Sequence, residues 1–310
     1  MSTTTNTVKS IRGVYPIIAT PFNEHGEIDE QSMRHIARYV LKAGVHGVAY
    51  PAVASEFYAL SIAERKHLAE VLLEEVNGKV PAVIGISSPT AEMAIDLGKH
   101  AAASGADFVL LLPPYVVKDD GQHLLGFYQR VADAVSIPMI LQNAPPPMGA
   151  GLSPEAVFNI LRKVPQISYV KEENTPCGHR ISALLKDPPA SLKGVLGGAG
   201  GRYVLDEYQR GAIGSMPACE LMEIHVAIYN KFMAGDLRGA RDLFNRLLPI
   251  LNFQAIFRMN MTKEVLKRWG IIQSTYVRVG SLDLDEVDLR ELDTLLGEID
   301  DLLMKETHVF

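Results

Sequence analysis

Eight short runs rich in valine, isoleucine and alanine, each followed by a longer stretch with helical spacing, limit what this chain can fold into. The runs cover residues 14–20, 45–50, 82–86, 108–112, 138–142, 168–173, 194–197 and 212–216. Most are apolar without alternation, which predicts strands covered on both faces, as in a parallel sheet. The segments between them carry helix signals. Ser61-Ile62-Ala63-Glu64 has the spacing of a capping box. Ser88-Pro89 and Ser153-Pro154 each offer an N-cap followed by proline at the first helical position. Ala91, Ala94, Ile95 and Ala102 share helical spacing, with Gly105 as the stop. Eight strand–helix units predict a (β/α)8 barrel; a doubly wound sheet is the alternative.

After the eighth run the pattern changes. Residues 224–232, 237–253, 262–269 and 284–304 all read as helices with no strand between them. The chain therefore divides into a frayed polar tail (1–12), a barrel (13–222) and a C-terminal helical extension (223–310). The last helix carries Leu284, Val287, Leu292, Leu295, Leu296, Ile299, Leu302 and Leu303, and must bury one face against the barrel or another subunit.

Composition excludes several classes of function. With 47% hydrophobic and 21% charged residues, the 310-residue chain has ample apolar surface to fold. A formal net charge of −6 argues against a protein that grips nucleic acid or anionic lipid. The most apolar stretch, 108–117, is too short to span a bilayer and holds Pro113 and Pro114. Two cysteines, Cys177 and Cys219, cannot form a disulfide framework and fit a reducing cytoplasm. No zinc-type Cys/His spacing is present, so no metal site is expected.

In a barrel the chemistry gathers at the C-terminal ends of the strands. The sixth run ends Tyr169-Val170-Lys171-Glu172-Glu173. Side chains alternate along a strand, so Lys171 and Glu173 share a face and Glu172 points the other way. A lysine drawn out of water favours its neutral form, the nucleophile toward carbonyls. A plain Lys–Glu pair at the rim explains the same residues. The fourth run ends Pro113-Pro114-Tyr115, whose phenol serves either proton transfer or packing. The fifth leads through Gln142 into Pro145, Pro146 and Pro147, a stiff loop fit to wall a pocket. The second leads into Val53-Ala54-Ser55-Glu56, where Glu56 is either a helix-start carboxylate or a site residue. The seventh leads through Gly197 and Gly198 to Gly201, a turn suited to phosphate, to a carboxylate, or to neither.

These residues together resemble the dihydrodipicolinate synthase / N-acetylneuraminate lyase family, class I aldolase-type lyases on a (β/α)8 barrel. The likeness runs from Gly13 to the last helix. It rests on Gly13-Val14-Tyr15-Pro16, Thr20-Pro21-Phe22, Gly47-Val48, Ser55-Glu56-Phe57, Pro113-Pro114-Tyr115 and Tyr169-Val170-Lys171-Glu172. The resemblance implies that Lys171 forms a Schiff base with the keto carbon of pyruvate or another 2-oxo acid. It also implies a homo-oligomer, most often a tetramer. Three departures bear on the substrate. The family's Gly-Thr-Thr-Gly-Glu loop is Ala52-Val53-Ala54-Ser55-Glu56, which leaves backbone N–H groups at 53–55 to hold a carboxylate. The tyrosine of the strand-five Tyr-Asn-x-Pro motif is Gln142. The arginine that follows in lysine-biosynthetic members is Pro147. The pattern is closer to the L-2-keto-3-deoxyarabonate dehydratase branch, which implies dehydration of a 2-oxo-3-deoxy sugar acid without metal or organic cofactor. Lys171, Glu173 and Tyr115 are then the catalytic candidates. Val53, Ala54, Ser55, Glu56, Gln142 and Gly198 are the substrate-binding ones. A pyruvate-releasing retro-aldolase on a 4-hydroxy-2-oxo acid, or a non-catalytic barrel that binds a 2-oxo acid, are the alternatives.

Overall fold

The computed structural model describes residues 9–116, 122–280 and 282–304. Fifteen elements build the barrel in strict alternation. They are β1 (Gly13–Val14), α1 (Glu30–Lys42), β2 (Val48–Tyr50), α2 (Ile62–Val76), β3 (Ala82–Gly85), α3 (Ala91–Ala103), β4 (Phe108–Leu111) and α4 (Gln122–Ala134). There follow β5 (Met139–Asn143), α5 (Pro154–Lys163), β6 (Ile167–Glu172), α6 (Cys177–Lys186), β7 (Gly194–Gly197), α7 (Val204–Gln209) and β8 (Gly214–Ser215). All neighbouring strands are parallel, in the order β1-β8-β7-β6-β5-β4-β3-β2. The ring closes between the first and second runs: the Ala49 N–H donates to Pro16 O and the Ile18 N–H to Ala49 O, both at 2.9 Å. The doubly wound alternative is excluded.

The lack of alternation in the strands has its cause here. One set of side chains, including Phe108, Ile140, Tyr169 and Leu196, fills the barrel's interior. The other, including Val109, Leu141, Val170 and Val195, packs under the helices. The first strand is shorter than expected, because Pro16 has no N–H for a ladder and leaves an isolated bridge at Ile17. The Ser61 capping box and the Ser153-Pro154 start form as expected. Ser88-Pro89 does not start its helix. The Ser88 hydroxyl donates to Ile86 O, and Thr90 caps α3 instead.

The extension consists of α8 (Met222–Met233), α9 (Leu237–Phe257), α10 (Met259–Arg268) and α11 (Glu286–Gly297). The expected last helix breaks at Gly297 and resumes as a single 3-10 turn at Asp300–Leu302. Leu292 and Ile299 are fully buried, whereas Val287 is 62% exposed, so the apolar stripe faces the protein only in its later part. Of the expected tail, residues 1–8 lie outside the described residues, as does Val117 of the most apolar stretch. Ile11 is buried, its N–H donating to the Tyr169 hydroxyl inside the barrel. Among the described residues no helix is long and apolar enough to cross a membrane.

Candidate active site

Strand β6 sets the site. Tyr169 closes the apolar interior, and two residues further Lys171 points the same way. Parallel register pairs Lys171 with Gln142 on β5 and with Leu196 on β7. Paired residues of neighbouring strands share a face, so Gln142 stands beside Lys171. Glu173 follows on that face. Its Oε1 lies 3.1 Å from Lys171 Nζ, and its Oε2 accepts from Gln142 Nε2 at 2.7 Å. The Ala199 N–H donates to Oε1 at 3.2 Å. Gly198 is needed because a Cβ there would overlap the Glu173 side chain. Gly198 is thus a support for Glu173.

Burial alone would raise the Glu173 pKa, but the Lys171 ammonium, the Gln142 amide and the Ala199 N–H outweigh it and hold the carboxyl below its ordinary value. Glu172, on the opposite face, is fully buried in a separate network, accepting from Asn143, Asn174 and Arg180.

Lys171 and Glu173 line a cavity of about 280 Å³ at the C-terminal ends of the strands. Val53 and Ala54 line it from the loop after β2, and Pro145, Pro146, Pro147 and Met148 wall it from the loop after β5. The Ser55 N–H is bonded to Ala52 O, so the amides left in that turn belong to Val53 and Ala54. The Ser55 hydroxyl is also taken: it donates to Ile18 O and accepts from the Ala52 N–H.

Of the expected residues, Ser55, Gln142 and Gly198 stand behind the lining, and Glu56 and Tyr115 are engaged elsewhere. Glu56 is fully buried in a left-handed conformation (φ 55°), turned away from Lys171. Its Oε1 meets Lys263 Nζ of α10 at 2.5 Å and its Oε2 accepts from the Arg278 N–H at 3.0 Å. Tyr115 sits edge-on to Phe57, ring centroids 5.6 Å apart, in a small apolar cluster with Leu112 and Ala144. Burial raises its pKa. Neither is among the residues that line the cavity.

Sequence reasoning missed the wall supplied by the extension. Gln254 and Arg258, from the end of α9, line the cavity, as does Arg202 after the glycine-rich turn. The break between the helical patterns at 253 and 262 was the available signal for Arg258, since chain breaks beside a barrel mouth expose side chains to it.

A closed parallel barrel with a buried lysine–carboxylate pair at the C-terminal strand ends defines an enzyme of the (β/α)8 class. Residues 10–299 match the Dihydrodipicolinate synthetase family, and the chain belongs to it; it is a lyase of that family. Among its relatives is the "Probable 2-dehydro-3-deoxy-D-pentonate aldolase YjhH" of Escherichia coli K12, 29% identical over 93% of this chain and 97% of that one. The L-2-keto-3-deoxyarabonate dehydratase of Azospirillum brasilense is 26% identical over 96% and 97%. The crystal structure of YagE from E. coli K12, in complex with pyruvate, matches with a TM-score of 0.86 at 25% identity over 94% and 99%.

Proposed function

We propose that the protein dehydrates a 2-oxo-3-deoxy sugar acid through a Schiff base on Lys171, in a reaction of the L-2-keto-3-deoxyarabonate dehydratase type. The observation that carries this is the Lys171–Glu173–Gln142 group: among the described residues lining the cavity, Glu173 is the sole carboxylate. It takes a proton from the Lys171 ammonium, and the free amine attacks C2 of the substrate. The protonated Glu173 returns its proton to the carbinolamine hydroxyl, which leaves as water, giving the iminium. Glu173 then removes a C3 proton. The electron pair moves to form the enamine, and the iminium charge disappears. With that charge gone, burial dominates and the protonated carboxyl becomes the stable form. It then donates to the C4 hydroxyl, which leaves as water. Gln142 holds the carboxylate in place but has no titratable proton of its own. The Val53 and Ala54 amides are the donors for the substrate carboxylate.

Lys171→Arg is expected to lose nearly all turnover, because a guanidinium stays protonated. Borohydride reduction with pyruvate, followed by peptide mapping, tests the imine directly: a stable adduct on another lysine overturns it. Glu173→Gln is expected to keep imine formation with pyruvate while turnover falls on the order of 10²–10⁴-fold. Near-normal turnover in that variant would remove Glu173 from the mechanism.

The aldolase relatives support a second reading, in which Glu173 takes the C4 hydroxyl proton and C3–C4 breaks to give pyruvate and an aldehyde. Mass spectrometry of the products separates the two. A 2,5-dioxo acid with all carbons retained supports dehydration, and pyruvate supports cleavage. We further propose a homotetramer in the cytoplasm. Cys177 and Cys219, both buried and in no disulfide, support the reducing compartment. Light scattering that returned a 34 kDa particle would refute the tetramer.

A further inference from the structure

We propose that Arg202 and Arg258 form a second anion subsite in the cavity, and that the substrate is therefore a dicarboxylic 2-oxo acid. This rests on the reading above, in which the 2-oxo end of the substrate is held at Lys171.

The charges on the cavity wall do not balance. Lys171 and Glu173 neutralise each other at 3.1 Å. Arg202 and Arg258 line the same space, and no carboxylate among the described residues lies within ion-pair distance of either. Arg180 ends on Glu172 and Arg278 on Glu64, and other arginines without an acid rest elsewhere, Arg65 on the carbonyls of Gly85 and Ser87 and Arg162 over the Phe158 ring. Two positive charges thus remain in excess, with Arg258 exposed and Arg202 half-buried. A sugar acid with one carboxylate, held at the Val53 and Ala54 amides, leaves both guanidiniums without a counter-charge.

The two arginines are set in place by the backbone. Arg202 ends the short turn Ala199–Gly201 after β7. A side chain at Gly200 would touch both Gln254 Oε1 (3.2 Å) and Arg202 Nη1 (3.4 Å), so the amide and the guanidinium converge over the bare glycine. Gln254 is buried on α9, one turn before Arg258, and its carbonyl accepts the Arg258 N–H at 2.7 Å. Arg258 joins α9 to α10 at φ 48° and ψ −118°, a conformation that L residues rarely adopt. Strain of this kind persists where the surrounding structure enforces it.

The same turn decides between carboxylate and phosphate. A phosphate cradle needs several free backbone N–H groups. Here the Ala199 N–H is bonded to Glu173, the Gly201 N–H to Gly198 O and the Arg202 N–H to Ala199 O. Three amides of the turn are thus occupied, and two planar guanidiniums with the Gln254 amide suit a planar carboxylate.

Two probes of equal length test this: 2-oxoadipate, with a terminal carboxylate, and 2-oxohexanoate, with a terminal methyl. Calorimetry on the full chain is expected to show 2-oxoadipate binding on the order of 10- to 100-fold tighter, the worth of charged hydrogen bonds. The ratio of the two affinities is expected to fall toward one in Arg202→Gln and in Arg258→Gln, and to be partly kept in Arg258→Lys. Equal affinity for the two acids in the native protein overturns the subsite. So does an unchanged ratio in both glutamine variants, or tighter binding of a phosphorylated 2-oxo acid than of 2-oxoadipate. Borohydride trapping with pyruvate is read separately. Its failure would refute the imine reading and leave the calorimetric ratio to judge the subsite.

Discussion

Glu173, partly buried, and Glu207, fully buried, are carboxyls a strand apart, and their surroundings push them in opposite directions. Glu173 has a cation and two further donors and is held low. Glu207, on α7, occupies the space that a side chain at Gly197 would fill, and neither of its oxygens has a hydrogen-bond partner among the described residues. Burial first, then the nearby Glu173, Asp206 and Glu172, raise its pKa to about 8. The folded state therefore binds a proton that the unfolded chain releases near pH 4.5. The resulting stabilisation is complete below that value and is lost as pH rises toward about 8. Glu220, raised to about 7 chiefly by burial, acts with the same sign. Glu207→Gln is expected to match the native protein in thermal melting at about pH 5 and to exceed it at about pH 8.5, by a margin on the order of a few kcal/mol. Equal melting at both pH values would mean that Glu207 ionises normally. The placement of Lys171 and Glu173 on one face was legible from strand parity alone. Glu207 was not legible, because what makes it unusual is the strand packed against it, not its sequence neighbours.

At the scale of elements, the loop after β2 shows where motif reading failed. Its sequence, small residues around a single glutamate, left Glu56 as either a helix-start carboxylate or a site residue. The turn instead inverts at Glu56, whose left-handed backbone sends the side chain to the extension. Lys263 is equally buried, rests 4.5 Å above the Phe22 ring and also donates to Tyr276 O. Burial lowers its pKa against the opposing pull of Glu56. Arg278 adds a second tie, to Glu64 at the start of α2. These pairs span more than two hundred positions of sequence, so no local pattern could reveal them. Removing one partner leaves the other buried and unpaired, which costs about 3–5 kcal/mol. Glu56→Gln is expected to lose stability of that order in denaturant titration and to raise KM, because the same turn carries Val53 and Ala54. A variant that binds substrate poorly at native stability would instead return Glu56 to the site.

For the whole molecule, the extension acts as part of the barrel. It supplies Gln254, Arg258 and Met259 to the cavity wall and holds the loop after β2 through Lys263. Its inner faces are continuous with the layer beneath the barrel helices: Leu247, Ile250, Val265 and Leu266 belong to the same apolar cluster as Val170 and Val195. An autonomous helical domain would need its own core, and among the described residues no separate apolar cluster lies within the extension. The single tryptophan of the chain makes this measurable. Trp269, just after α10, packs edge-on against Tyr39 of α1, ring centroids 5.9 Å apart. Its fluorescence reports the contact between extension and barrel, whereas far-UV circular dichroism reports the helices as a whole. On heating, the fluorescence change is expected to coincide with the loss of ellipticity, as in a cooperative transition. A fluorescence midpoint clearly below the ellipticity midpoint would show the extension leaving a folded barrel. In that case the α9 wall and Arg258 would be a lid on the cavity rather than a fixed part of it.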